Sequence, residues 1–297
     1  MAKRERKVIV TAAVSGNAHF KEMSPAVPYG VKEISDSAAE AVKAGASIIH
    51  VHARDEDGTA TADPQVFADI LSEIRRKSPG DPVLGVTTGS AGNANFMQRL
   101  AVVPAIKPEM ASFNSGTINW ISKGDPETYH EIYENTFADM FACIDAMNEA
   151  GTCPEFEIFD YAMLNNILYL KKEGKLRHPE YFQFVPGALG CIPLDQENVA
   201  FFIQSVRKMF GTDALFSLVA GGRRNFRYEV FNALWGGNVR IGIEDSLYLS
   251  MNGDLADSNA AMVAKLIRIL TDLDFDIATP EEVREMLQLK GSAKVNY

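Results

Sequence analysis

Two imidazoles two positions apart on an apolar run point most clearly to chemistry in this chain. His50-Val51-His52 closes the run at residues 48–53. Side chains alternate faces along a strand, so i and i+2 point the same way, about 7 Å apart by the strand rise. From there both rings can lean onto one metal ion. The pair uses two of the chain's five histidines. The competing reading is two unrelated histidines, one satisfied by backbone and one exposed.

A metal held by two imidazoles wants a carboxylate to complete the set, with a position left open for substrate. Glu244 and Asp245 follow the run Val239-Arg240-Ile241-Gly242-Ile243. An isolated Glu-Asp is by default a capping pair on a solvated loop. Arg240 lies four residues before Glu244, on the same facing and deeper. Asp245, just beyond, can turn back to meet the guanidinium. Such a pair either holds a base in place and lowers its pKa or is a structural ion pair.

Weaker polar groups surround these. Thr87-Thr88-Gly89-Ser90-Ala91-Gly92 offers hydroxyls and backbone N–H groups suited to a carboxylate or phosphate, although any tight turn uses such residues. Ser112, Asn114 and Glu157 are further polar groups at predicted strand ends. Gly221-Gly222-Arg223-Arg224 follows the seventh strand-like run, where barrels often bind phosphate; the plain reading is two surface arginines.

The elements that must position these residues alternate. Strand-like runs fall at 8–13, 48–53, 83–88, 110–114, 156–159, 182–185, 215–219 and 239–243. Helical patterns lie between them at 31–44, 64–77, 96–103, 126–150, 160–172, 196–209, 228–235 and 258–273. Asp63 caps the second helix with Pro64 at its first position. A final short helix opens at Thr279-Pro280-Glu281-Glu282. Eight runs with no linker between any two predict an α/β fold, a closed (β/α)8 TIM barrel occupying residues 1–297 as one domain, with a helical tail over about 279–297. The length of 297 residues suits that reading. A dinucleotide-binding sheet is disfavoured, because no GxGxxG follows the first strand.

A net charge of −10 argues against general nucleic-acid binding, which runs on excess Lys and Arg. It leaves room for an anionic small ligand at a locally basic mouth. No run approaches a membrane span, and the basic start has no apolar stretch behind it to make a signal peptide. Cys143, Cys153 and Cys191 form neither a disulfide framework nor a CxxC site, so packing thiols and a cytoplasmic location are expected.

In order along the chain, several motifs resemble the β-keto acid cleavage enzymes. They are Thr11-Ala12-Ala13-Val14-Ser15-Gly16, Ala44-Gly45-Ala46 leading into His50-Val51-His52-Ala53-Arg54, and Lys107-Pro108-Glu109-Met110-Ala111. Asn114-Ser115-Gly116-Thr117 and Arg240-Ile241-Gly242-Ile243-Glu244-Asp245 complete the series. The likeness runs over residues 8–287. It implies a zinc-dependent barrel, homotetrameric and cytoplasmic, that condenses a β-keto acid with acetyl-CoA to give acetoacetate and a new acyl-CoA. By match, Zn2+ falls on His50, His52 and Glu244, substrate contacts on Thr87, Ser90 and Ser112, and the catalytic pair on Arg240 and Asp245. Glu157 is a further candidate for the substrate, and Arg223 and Arg224 for the phosphates of CoA. One position departs: where the family's aminohexanoate-cleaving member has a Glu for the substrate ammonium, this chain has Ala18. A metal-dependent hydrolase of amidohydrolase type is the alternative, but it would carry the HxH on the first strand. A non-catalytic metal-binding protein is the third class.

Overall fold

Why the barrel closes around the histidines follows from the alternation of side chains along its strands. The computed structural model describes residues 7–89, 94–120 and 131–297. Eight parallel strands run β1 (Val10–Ala13), β2 (Ile48–Val51), β3 (Val83–Val86), β4 (Met110–Asn114), β5 (Cys153–Ile158), β6 (Tyr181–Phe184), β7 (Leu215–Leu218) and β8 (Val239–Ile241). Each pairs with the next as far as β7, and β8 pairs with β1, with Thr11 opposite Arg240. At the β7–β8 seam Asn238 does the closing: its backbone N–H and its Nδ2 donate to the Phe216 carbonyl at 2.7 and 3.2 Å. The fold is the expected (β/α)8 barrel.

Outward-facing positions such as Val10, Ile49, Leu84, Phe113, Phe156, Phe182 and Phe216 join the large core beneath the helices. Ile9, Ile48, Val83, Met110, Cys153, Tyr181 and Leu215 form a separate apolar layer inside the barrel. Two residues further along, except at Gly85 on β3, the inward positions turn polar: Thr11, His50, Ser112, Glu155, Gln183 and Ser217 are all buried, as is Arg240 on β8. Branched apolar residues usually fill such layers. Polar groups there make the floor of a site at the C-terminal end of the strands.

The opposite end is plugged. Helix α10 (Pro280–Leu287) starts with a Thr279–Glu282 capping box and seats Val283 and Leu287 against the apolar layer. The other helices are α1 (Gly30–Lys43), α2 (Pro64–Lys77), α3 (Phe96–Leu100), α4 (Val102–Ile106), α5 (Phe137–Ala150), α6 (Tyr161–Lys172), α7 (Gln196–Phe210), α8 (Asn225–Leu234) and α9 (Asn259–Asp272). In α2 Asp63 accepts from Gln65 N at 2.8 Å with Pro64 next, the start read from the sequence.

Several boundaries differ from expectation. The helix expected over 96–103 is two, α3 and α4, separated at Ala101. The one expected from 126 begins at Phe137, where Thr136 and Asp139 form a capping box; Ile132–Tyr133 belongs instead to a short hairpin with Ile118–Asn119, and residues 121–130 lie outside the described ones. Strand β5 starts at Cys153 rather than 156, because Pro154 and Glu155 pair with Ala111 and Ser112. Strand β8 ends at Ile241, so Glu244 and Asp245 sit in a turn.

Candidate metal and catalytic site

Gly242 explains how that turn reaches the histidines. A Cβ there would collide with the Ala13 carbonyl, so only glycine lets the chain fold this closely over β1. Glu244 N then donates to Ala13 O at 3.2 Å, while Ala13 is opposite His50 in the β1–β2 ladder. Glu244 thereby reaches the rings: its Oε1 lies 3.5 Å from His50 Nε2 and 3.3 Å from His52 Nε2. The two rings are edge to face at 5.4 Å between centroids, and the three ligand atoms all lie within 4.8 Å of one another.

The electrostatics suit a cation between them. His50 Nε2 and Glu244 Oε2 are buried with no hydrogen-bond partner. Such orphaned atoms are costly unless something occupies the space they face. Burial, aided by the charge of Arg240, takes the His50 pKa down to about 3, so the ring is neutral and its lone pair free to ligate. Burial pushes the Glu244 carboxyl up, but His52, Arg240 and His50 together hold it well below the usual carboxylate range. The neutral His50 ring, the His52 ring beside it and a carboxylate held low make a metal-ligand set.

Arg240 is the hub of the acidic side. Its Nε donates to Asp245 Oδ2 at 2.9 Å, one terminal nitrogen donates to Asp245 Oδ1 at 2.9 Å, and the same nitrogen bonds Glu244 Oε1. The forked contact with Asp245 was expected and the shared one with Glu244 was not. Nor is the Asp245 pKa lowered as the pairing suggested: burial raises it despite the guanidinium, with the Glu244 charge adding to the rise. Two adjacent carboxyls are thus driven apart, Glu244 down and Asp245 up, which suits them to different roles.

Thr87 and Ser112 reach the same rim from β3 and β4. The Thr87 hydroxyl accepts from Gly89 N at 2.8 Å and that of Ser112 from Thr88 N at 3.0 Å, and a hydroxyl that accepts one bond still has a proton to donate. Glu157, opposite Asn114 and Gln183, is half-buried, and burial pushes its carboxyl up to about 8. Ser90 lies outside the described residues. Arg223 and Arg224 sit apart, exposed in the turn Gly222–Arg224 ahead of α8. Arg223 stacks on Tyr248 at 5.3 Å, and Arg224 lines a cleft of about 340 Å³ with Asp195, Glu197 and Arg227. His19 donates from Nδ1 to the Ile243 carbonyl at 2.7 Å, and Ala18 beside it is exposed. The thiols are packing groups: Cys143 and Cys153 are buried, and burial raises all three pKa values.

Two buried acids beside the cluster went unread. Glu155 Oε2 lies 3.8 Å from His50 Nδ1, the ring nitrogen facing away from the ligand cluster, and burial lifts the carboxyl to about 7. Carboxylates in that position orient metal-ligating histidines. Its signal was the i, i+2 pair Glu155 and Glu157 on one strand face. Glu229 on α8 accepts from Arg240 N at 3.0 Å at the seam; nothing in an amphipathic helix distinguishes it from a surface acid.

A family model described as beta-keto acid cleavage enzyme matches residues 7–289. A protein of Paraburkholderia graminis named 3,5-dioxohexanoate:acetyl-CoA acetone transferase is 37% identical over 99% of this chain and 99% of its own length. The 3-keto-5-aminohexanoate cleavage enzyme of Fusobacterium nucleatum is 36% identical over 96% of this chain and 98% of its own. Among solved structures, that of apo ObcA superposes with a TM-score of 0.72 at 19% identity, over 90% of this chain and 66% of that one, which speaks for the barrel alone.

Proposed function

We infer the activity from one premise: the chain belongs to the beta-keto acid cleavage enzyme family. The reaction is an exchange. A β-keto acid, R–CO–CH2–COO−, and acetyl-CoA give acetoacetate and R–CO–SCoA, with no protein nucleophile needed. The observation that carries this reading is the convergence of His50, His52 and Glu244 beside the Arg240–Asp245 pair.

His50, His52 and Glu244 would hold a divalent ion, Zn2+ by the family resemblance. When bound, the ion supplies a Lewis acid for the keto and carboxylate oxygens of the substrate. Asp245, held by Arg240, takes the proton from the carbon between them. The carbanion attacks the acetyl carbonyl of acetyl-CoA, the released CoA thiolate then attacks the original ketone carbon, whose bond to the former C2 breaks, and the acetoacetate carbanion so freed takes the proton back from Asp245. Thr87, Ser90, Ser112 and Glu157 line the keto acid, and Arg223 and Arg224 meet the CoA phosphates. We read the whole chain as one barrel domain, forming a cytoplasmic homotetramer. No helix of the described residues is long and apolar enough to cross a membrane. A screen of β-keto acids with acetyl-CoA, read as acetoacetate released, tests the reading. Turnover of at least one acid supports it, and none across acidic, basic and neutral side chains refutes it.

Two predictions follow from side chains at the mouth. Replacing Arg223 and Arg224 together by Ala raises KM for acetyl-CoA and flattens its salt dependence, because screened charge contacts weaken with ionic strength. A change confined to the keto-acid KM would place these arginines at the other substrate.

Selectivity turns on Ala18. An unpaired ammonium in a closed site costs several kcal/mol, and Ala18 supplies no charge to meet it. A neutral polar tail is therefore preferred over an amino one, in line with the dioxo substrate named for the Paraburkholderia relative. The comparison is kcat/KM for 3-keto-5-aminohexanoate against uncharged analogues of equal length. Ala18→Glu gains on the amino substrate; a wild type that favours it already contradicts the assignment.

A further inference from the structure

The motif Val14-Ser15-Gly16 and the Arg54 that ends the HxH segment take no part in the chemistry above, yet the structure ties both to the ligands. Ser15 Oγ donates to the carbonyl of His52 at 2.7 Å and accepts from His52 N at 3.0 Å, so one hydroxyl satisfies both backbone groups of a ligand residue. The next residue, Gly16, has φ +56°, and a Cβ there would stand 2.6 Å from Glu244 Cγ. Its backbone therefore lies flat against the side chain of the carboxylate ligand. Arg54, fully buried, donates from Nε to Gly16 O at 2.8 Å, with its guanidinium carbon 5.1 and 5.2 Å from the ring centres of Phe20 and Tyr29. Asn259 completes the frame, accepting from Ile243 N at 2.8 Å and donating to Val14 O at 2.9 Å.

These contacts form a cross-brace. His52 lies past the end of β2 and Glu244 in a turn past β8, so neither ligand is held by a strand ladder of its own. The loop after β1 is the piece of chain wedged between them, hydrogen-bonded to one and packed against the other. We propose that Ser15, Gly16 and Arg54 are positioning residues of the metal centre, setting the separation of His52 and Glu244 through the loop that joins them. The proposal rests on the metal reading of His50, His52 and Glu244. It adds that the ligand geometry is imposed from outside the ligand set, by the same loop that presents Ala18 to the substrate tail.

Groups that orient metal ligands typically change affinity about 10- to 100-fold when removed. The test measures Co2+ affinity of the apoprotein by competition with a chromophoric chelator, together with the visible absorption of the Co2+ form. Ser15→Ala deletes one hydroxyl, Gly16→Ala pushes a methyl at Glu244, and Arg54→Lys removes the planar fork. Glu109→Gln, a lesion at the far end of the barrel, is the comparison for stability alone. The expected result is Co2+ affinity about 10- to 100-fold weaker for Ser15→Ala and Gly16→Ala, with an altered absorption band, while the far lesion lowers Tm and leaves both unchanged. Ser15→Ala keeps the result decisive if Arg54→Lys fails to fold. Wild-type affinity and spectrum in both loop variants overturn the brace while leaving the metal site intact. Absence of Co2+ binding by the wild type overturns the metal reading and the brace with it.

Discussion

Asp245→Asn lowers kcat by a factor on the order of 10²–10⁴, the range for removing a positioned general base, and leaves metal content near that of the wild type. The direction follows from two opposite shifts in adjacent residues. Glu244 stays ionised because two imidazoles and Arg240 surround it, whereas burial raises Asp245 against the pull of the same arginine. A carboxylate raised toward neutrality is a better proton acceptor than one held low. Asparagine keeps the shape and one acceptor for Arg240 but cannot take a proton. Metal is retained because Asp245 is not among the clustered ligand atoms. Single-turnover rates with acetyl-CoA, alongside metal analysis, check both halves. An unchanged kcat would return Arg240 and Asp245 to a structural ion pair.

The second large effect is on stability and lies at the other end of the barrel. Glu109 is fully buried and takes two bonds from Arg284 on α10, 2.8 Å from Nε and 2.9 Å from the terminal nitrogen. Arg284 also donates to the carbonyls of Asp81 and Pro82 at 2.9 and 3.3 Å, so it ties the plug helix to the loops entering β3 and β4. Removing one partner of a buried pair leaves a charge uncompensated and costs about 3–5 kcal/mol. Glu109→Gln is expected at about the lower end of that range, because Arg284 keeps the Asp81 carboxylate at 3.2 Å and its carbonyl partners. Unfolding of the metal-free protein in denaturant measures it. A loss below about 1 kcal/mol, the usual value of an exposed pair, would show that packing by Val283 and Leu287 holds the helix without the ion pair.

Glu109 also shows where sequence reading stops short. It stands in a motif that carries the family resemblance and looks like a chemical group, yet it braces the bottom of the barrel, where a barrel keeps its stability residues. Nothing local marks the difference, because Arg284 lies 175 residues away. The strand count and the inward facing of His50 and His52 were legible because both follow from a period of two within one short segment. Glu244 was legible because strand order in a closed barrel puts β8 beside β1 and β1 beside β2. Its exact approach was not, since it depends on Gly242 passing over Ala13 and on a turn starting two residues earlier than the apolar run suggests. The same holds for Glu155 and Glu229, whose roles exist only after long-range closure sets them against His50 and Arg240.

The central claim is that His50, His52 and Glu244 hold one divalent ion, and metal analysis of purified protein tests it most directly. Wild type, His50→Ala and Glu244→Gln are compared at equal concentration, with circular dichroism to confirm that each is folded. The account predicts one ion per chain in the wild type, zinc among the divalent metals, and strong loss in both folded variants. Full occupancy in both variants would contradict it.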